Sequence, residues 1–284
     1  MSVPLLEFQQ VEFRYPHTPA PVLQNCSFTL EAGQRVALLG LNGSGKSTLF
    51  YLAAALYRRD RGEIYWQGQR LVYQPDRLRQ WRQRIGLALQ DPEQQLVAAT
   101  VAEDISYGLC NLDLPRAEIE ARLHQTLLDF DLVDLADRPL HHLSLGQKRR
   151  VALAGVMALA PTLLLLDEPT TYLDYQQRQQ LHQTLENIHR QGTTIVIATH
   201  DLDFVYGWAD WIMVLVKGQI VVSDRAQRVF AQWPTLAPHL GIPVLLDLWQ
   251  QCPAAWRRNQ PLPRTPAAIA QIWQRNLSVP PNTG

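Results

Sequence analysis

The chain has no excess of either charge: Lys plus Arg and Asp plus Glu each number 26 in 284 residues. That balance argues against a protein drawn to nucleic acid or anionic lipid by its overall field. Cysteine is scarce. Cys26, Cys110 and Cys252 are scattered, with no CxxC and no even set, which fits a reducing compartment and a buried structural role for each thiol. The start, SVPLLEFQQVEF after Met1, lacks the charged lead and apolar run of a signal peptide. The longest central apolar run, VALAGVMALA, is about ten residues, roughly half a membrane span. A soluble, cytoplasmic chain is the expectation. Sustained heptads are missing. The eight histidines show no metal-ligand spacing, and His141 and His142 are adjacent, so their side chains should diverge.

What the chain does have is length and pattern. It can bury a substantial core and fits one large domain with an accessory lobe or tail. LLEFQQVEFRY (5–15) and CSFTL (26–30) partly alternate, as half-buried strands do. RVALLG (35–40) is a nearly all-apolar strand entering a Gly-rich loop, and STLFYLAAALY (47–57) has helix formers and no Pro. TLLLLD (162–167), TTIVIATH (193–200) and WIMVLVKGQIVVSD (211–224) are further strands, the last with a Lys217-Gly218 hairpin turn. YQQRQQLHQTLENIHRQG (175–192) is a helix that stops at Gly192. Apolar strands alternating with helices predict an α/β fold with a mostly parallel sheet buried on both faces and a few antiparallel strands at the N-terminus. Between about 91 and 160 the pattern is helical without strands, an inserted lobe. The last 54 residues hold nine of the 19 prolines and four of the eight tryptophans, which suggests a small irregular appendage.

Gly40-Leu41-Asn42-Gly43-Ser44-Gly45-Lys46-Ser47 fits GxxxxGK[ST] between a strand and a helix, the setting in which that loop cradles phosphates. Glycines let backbone N–H groups turn inward, and the following helix adds its positive end. Lys46 is placed for the β- and γ-phosphates and the Ser47 hydroxyl for Mg²⁺. Four leucines, 163–166, then deliver Asp167 at the C-terminal end of a core strand, where parallel sheets place ligand sites. Asp167 suits Mg²⁺, and Glu168 is placed to polarise an attacking water. Two acids after a strand would by themselves read as a solvated loop; the phosphate loop tips the reading toward chemistry.

With LNGSGKST, LSLGQ (143–147) and LLLLDEPT in this order, the chain resembles the nucleotide-binding subunits of ATP-binding-cassette (ABC) transporters over about residues 3–230. The resemblance implies a P-loop NTPase core over 1–230 with an N-terminal antiparallel β subdomain and a helical subdomain at about 91–160, then a Pro/Trp-rich extension over 231–284. It implies a second ABC ATPase subunit, the same chain or a paralogue, with each ATP held between one subunit's phosphate loop (Asn42 to Thr48) and the other's signature (Ser144, Gly146, Gln147). Leu145 stands where the family's LSGGQ has Gly, while the phosphate donors Ser144 and Gly146 remain. Lys148, Arg149 and Arg150 then read as a solvated helix face. Gln90 matches the glutamine that senses Mg²⁺ and the water and links the site to the membrane partner. His200 matches the histidine contacting the γ-phosphate, and Asp174 the aspartate reaching across the dimer. Tyr172 replaces the small residue or glycine common there. Tyr15 is placed to stack on adenine, the alternative being an edge-strand aromatic.

ATVAEDISYGLCNLDLP (99–115) looks like the energy-coupling-factor (ECF) branch, and LGQKRRVALAGVMALAP leans the same way, especially toward its cobalt and nickel importers, with biotin or another vitamin as the alternative cargo. That implies a transmembrane coupling protein, a separate substrate-binding membrane protein and a peripheral position on the cytoplasmic side of the membrane. A soluble ABC ATPase working on nucleic acid or ribosomes is the competing class, and the neutral charge and missing coiled coil oppose it. An inactive regulatory cassette is opposed by Lys46, Glu168 and His200.

Overall fold

The computed structural model describes residues 3–258 and 260–277. Strands follow in chain order as β1 (Leu6–Phe13), β2 (Leu23–Leu30), β3 (Arg35–Leu39), β4 (Arg61–Trp66), β5 (Gln69–Arg70), β6 (Ile85–Ala88), β7 (Leu163–Asp167), β8 (Thr194–Ala198), β9 (Trp211–Val216) and β10 (Gln219–Arg225). Helices are α1 (Lys46–Ala53), α2 (Pro75–Arg84), α3 (Val101–Cys110), α4 (Arg116–Asp129), α5 (Leu145–Ala158), α6 (Tyr175–Arg190), α7 (Leu202–Trp208) and α8 (Ala226–Ala231). Four more complete the C-terminal segment: α9 (Ala237–Leu240), α10 (Val244–Gln251), α11 (Ala254–Arg257) and α12 (Pro266–Leu277).

A six-stranded sheet in the order β10-β9-β3-β8-β7-β6 is parallel except for β10, and a four-stranded antiparallel sheet, β2-β1-β4-β5, packs beside it. The all-apolar strands are explained by the cover on both faces of the larger sheet. Leu164, Leu166, Ile195 and Ile197 point toward Leu185 and Ile188 of α6 and Val205 of α7. Their alternates Leu163, Leu165, Val196 and Ala198 point toward Phe50 of α1 and Phe8 of β1. Each Leu so buried stabilises the fold by about 1.5–3 kcal/mol relative to exposure. The α/β fold with its parallel sheet, N-terminal antiparallel sheet and strand-free lobe (α3, α4, α5) matches the sequence reading.

Several expectations need correction. The helix expected over 47–57 stops at Ala53, because Ala55 turns left-handed (φ +54°) and brings Tyr57 against Phe13 and Tyr15. Residues 61–88 hold β4, β5, α2 and β6, elements too short and too charged to show in the sequence pattern. Cys26 and Cys252 are buried, burial raising the Cys26 thiol to about 12, but Cys110 is exposed. The α3 stripe that faces the core is Val101, Ile105 and Leu109, and position 110 falls off it. His141 and His142 do not diverge; their rings meet at 4.2 Å in a short 3-10 turn.

The C-terminal segment, expected to be irregular, is largely short helices through residue 277; residues 278–284 lie outside the described ones. It is fastened to α7. Trp233 is fully buried against Phe230, its indole N–H donating to Gly241 O at 2.7 Å. Asp203 Oδ1 accepts from Val244 N at 2.7 Å, and Arg264 Nε donates to Tyr206 O at 2.8 Å. Trp233→Ala is therefore expected to lower unfolding free energy by about 3–5 kcal/mol, read from the urea midpoint of the full chain.

Candidate active site

β3 delivers the chain to Gly40 at the buried centre of the sheet. A Cβ at Gly40 would sit 2.5 Å from Leu215 O, and Gly45 runs at φ +106° with Leu23 Cδ2 2.9 Å from where its Cβ would stand. Only glycine fits either position, so the loop curls tightly into α1. Lys46 opens that helix, is buried, and donates from Nζ to Gly40 O at 2.8 Å. Tyr15 lies just past β1, its hydroxyl 3.0 Å from Thr48 Oγ1 and its ring edge-on to Phe13 and Tyr57.

β7 brings Asp167 and Glu168 to the same place, both buried. Burial is the largest influence on the Asp167 carboxyl and raises its pKa; a hydrogen bond from Ser47 opposes this, the Glu168 charge adds to it, and Lys46 opposes it. Glu168 sits at φ +48°, a left-handed backbone held by its N–H donating to Ala198 O at 2.8 Å. Its Oε2 lies 2.9 Å from His200 Nδ1 and accepts from Thr199 Oγ1 at 3.1 Å. Its Oε1 is buried with no hydrogen-bond partner among the described residues, and stands 3.8 Å from Lys46 Nζ. Tyr15, Asn42, Gly43, Gly45, Lys46, Ser47, Thr48, Gln90, Asp167, Glu168 and His200 line one cleft of about 490 Å³. Ser44 turns inward instead, its buried hydroxyl packed beneath the loop.

Ser144, Gly146, Gln147 and Asp174 are not in that cleft. They line a second one, of about 350 Å³, which shares Gln90 and Asp167 with the first. Ser144 caps α5: its Oγ accepts from Gln147 N at 3.3 Å and its own N–H donates to Gln147 Oε1 at 2.9 Å. Acting as an acceptor in the cap leaves the Ser144 O–H proton free to donate elsewhere. Asp174 caps α6 in the same way, accepting from Gln177 N at 2.8 Å. A Cβ at Gly146 would meet Gln177 Nε2 at 2.9 Å, so this glycine cannot carry a side chain without displacing Gln177. Leu145 begins α5 and is 40% exposed, so the departure from Gly there crowds nothing within the chain.

The family model described as ABC transporter matches residues 23–171. A protein of Thermosynechococcus vestitus named among ABC transporter ATP-binding proteins is 83% identical over 265 residues, 93% of each chain. The chain belongs to the ABC transporter family, and it is an ATPase. The energy-coupling factor transporter ATP-binding protein EcfA of Carboxydothermus hydrogenoformans is 39% identical over 246 residues, 86% of this chain and 90% of that one. Among solved structures, cbiO1 of Clostridium perfringens, part of the ABC transporter complex cbiONQ, aligns with TM-score 0.75 and 33% identity over 87% of this chain and 99% of its own.

Three tertiary contacts of this ABC ATPase had no sequence signal beyond residue type. Thr199, fully buried before His200, shares Glu168 Oε2 with it. Asp201 pairs with Arg178 of α6 at 3.0 Å and caps α7 through Phe204 N. The expected solvated face of Lys148, Arg149 and Arg150 is corrected: all three face protein. Lys148 pairs with Glu93, and Arg150 donates to Asp131 O at 3.3 Å. Arg149, its pKa lowered chiefly by burial, donates to Pro169 O at 3.3 Å, to Thr171 O and to Gln90 O at 3.5 Å. It ties the signature helix to the Gln90 loop and to the loop after Glu168.

The raised Asp167 carboxyl fixes a pH dependence. A folded pKa above the unfolded one means that its contribution favours the fold at acid pH and is lost as pH rises through the folded value. Asp167→Asn should therefore raise the unfolding free energy of the nucleotide-free protein at neutral pH, with the gain fading as pH falls into the range where the unfolded carboxyl protonates; chemical unfolding across pH reads it.

Proposed function

We propose that this chain is the ATP-hydrolysing subunit of an ECF-type importer, bound peripherally at the cytoplasmic side of the membrane, with cobalt or nickel ions as cargo. The observation that supports the importer class most strongly is the 39% identity to an EcfA protein across nearly the whole of both chains. The cargo rests on the sequence run at 145–161, and the run at 99–115 supports the ECF class. A groove of about 540 Å³ between α2 and the helical lobe, lined by Asp76, Arg79, Leu112, Arg122 and Leu159, is suited to a helix of the coupling protein. Tyr107 stands exposed on α3 of that lobe.

The working unit is a pair of such subunits, because the signature donors and the phosphate loop occupy separate clefts of one chain. ATP enters against Tyr15 and the loop from Asn42 to Thr48. Lys46 and the loop N–H groups hold its phosphates, and the partner brings its Ser144 hydroxyl, Gly146 N–H and Gln147 to the γ-phosphate, with Asp174 beside the shared face. The Ser47 hydroxyl and Asp167 carboxylate line the same cleft and are hard oxygen donors of the kind Mg²⁺ takes, with Gln90 next to them. No cluster of three acidic, His or Cys ligands occurs among the described residues, as fits an ion that arrives on the nucleotide. Bound there, Mg²⁺ would offset phosphate charge.

Proton transfer falls to Glu168. Thr199 and His200 engage Oε2 and fix the carboxylate's orientation, which leaves Oε1 to take the proton of the attacking water. His200 is exposed at the rim, where its ring can also reach the γ-phosphate.

Glu168→Gln should retain ATP binding while turnover falls by about 10²–10⁴-fold; ATPase and nucleotide-binding assays on the assembled complex measure both, and parental turnover would remove Glu168 as base. For the cargo, cells producing the complete membrane complex should take up labelled Co²⁺ or Ni²⁺ with the parent chain and not with Lys46→Ala. Uptake absent in both, with ATP hydrolysis intact, would exclude these ions and point to a vitamin.

A further inference from the structure

The neutral total conceals a strong local asymmetry. Residues 58–84 contain eight arginines and three acids, so the remaining chain has 18 cations against 23 acids. Asp76 and Arg79 turn to the groove on the other side of α2, while six of these arginines line one face, from the end of α1 through β4 and β5 to α2. Two shallow depressions meet there, sharing Arg70 and Val72: one is lined by Arg58, Arg59 and Arg61, the other by Arg77 and Arg84.

The two acids that line these depressions, Asp60 and Glu63, are already engaged. Glu63 takes Arg59 and Arg70 together, and Asp60 Oδ2 accepts from Arg14 N at 2.8 Å. Among the described residues Arg58, Arg77 and Arg84 have no carboxylate partner. Arg58 and Arg59 lie 5.4 and 5.6 Å from the Tyr73 ring centroid, so the ring is occupied by guanidinium rather than left open for a base. That counts against single-stranded nucleic acid, whose binding relies on free aromatic platforms. Val72 is exposed in the middle of the face, an apolar contact among cations.

The location matters as much as the charge. α2 separates this face from the groove assigned above to the coupling protein, and Gln80 lines both sides. A subunit seated on a membrane protein by that groove would hold the arginine face beside the lipid.

We propose that the face formed by Arg58, Arg77, Arg84 and their neighbours contacts the anionic headgroups of the membrane that holds the transporter. The position rests on the importer reading; the charge does not. The arginines supply bidentate donors for phosphate oxygens, and attraction to an anionic surface decays within a screening length.

The test is flotation of the full chain with protein-free vesicles of phosphatidylcholine, alone or with one-third phosphatidylglycerol. It is run at about 0.1 M and about 1 M salt, where screening lengths are about 10 Å and about 3 Å. The parent should float with phosphatidylglycerol vesicles, and only at the lower salt. Combining Arg58→Gln, Arg77→Gln and Arg84→Gln should weaken this by about 100-fold, with ATP hydrolysis retained as the check on folding. Combining Arg116→Gln, Arg138→Gln and Arg225→Gln, an equal loss of charge elsewhere, should leave it unchanged. Equal binding to both vesicles, or equal weakening in both variants, overturns the proposal. Tighter binding to a single-stranded oligonucleotide, abolished in the first variant, also overturns it and reassigns the face. Since the vesicles contain no protein, a negative result leaves the importer reading intact, and failure of the importer to assemble leaves the vesicle result intact.

Discussion

Asp167 and Glu168 stand side by side at the buried end of β7, and like charges in so dry a place repel. Everything nearby is arranged around that pair. The Ser47 hydroxyl favours the charged form of Asp167, Lys46 Nζ stands 3.8 Å from Glu168 Oε1, and Thr199 and His200 take Oε2. The arrangement is possible because the parallel sheet is covered on both faces, so the strand ends are the only places where it can present polar groups to the cleft. Residues 120 positions apart thereby arrive at one point: β3 brings the phosphate loop, and β7 and β8 bring the acids and the histidine.

The two clefts are connected by more than the shared Gln90 and Asp167. Arg149 belongs to α5, whose first turn presents Ser144 and Gly146, yet its guanidinium is spent on carbonyls of the Gln90 loop and of the loop after Glu168. Burial disfavours its charge, and accepting carbonyls on several sides are what make the charge tolerable there. A displacement of the helical lobe must therefore either move those loops with it or break charge-assisted bonds.

The chemistry of the site was legible because it depends on residue type in a fixed local order. A Gly-rich loop before Lys-Ser and a leucine strand before Asp-Glu announce themselves without tertiary knowledge. Thr199, Arg149 and the Arg178–Asp201 pair did not, since their partners are distant in sequence and nothing local distinguishes a bonded threonine or arginine from a solvated one. The error over Lys148, Arg149 and Arg150 has the same origin: sequence supplies the charge but not the direction in which it points. The strands β4 and β6 were invisible for a different reason. RGEIYW is half charged or polar, and IGLA is only four residues long, so neither produces a clear period.

The departures from the family pattern separate two kinds of constraint. At Leu145 the limit would be space, and within the chain there is space; at Gly146, one residue on, Gln177 would have to move. At Tyr172 the limit is backbone. Its φ of +61° is strained for any residue but glycine, a cost of about 1–2 kcal/mol. The side chain itself meets no obstacle, being 82% exposed. The strain persists because the loop is fixed from both ends. Glu168 N is bound to Ala198 O, Arg149 holds Pro169 O and Thr171 O, Arg178 Nε donates to Leu173 O at 3.3 Å, and Asp174 is locked into the α6 cap. With so many bonds determining the path of seven residues, the identity of one exposed side chain within it is free to vary.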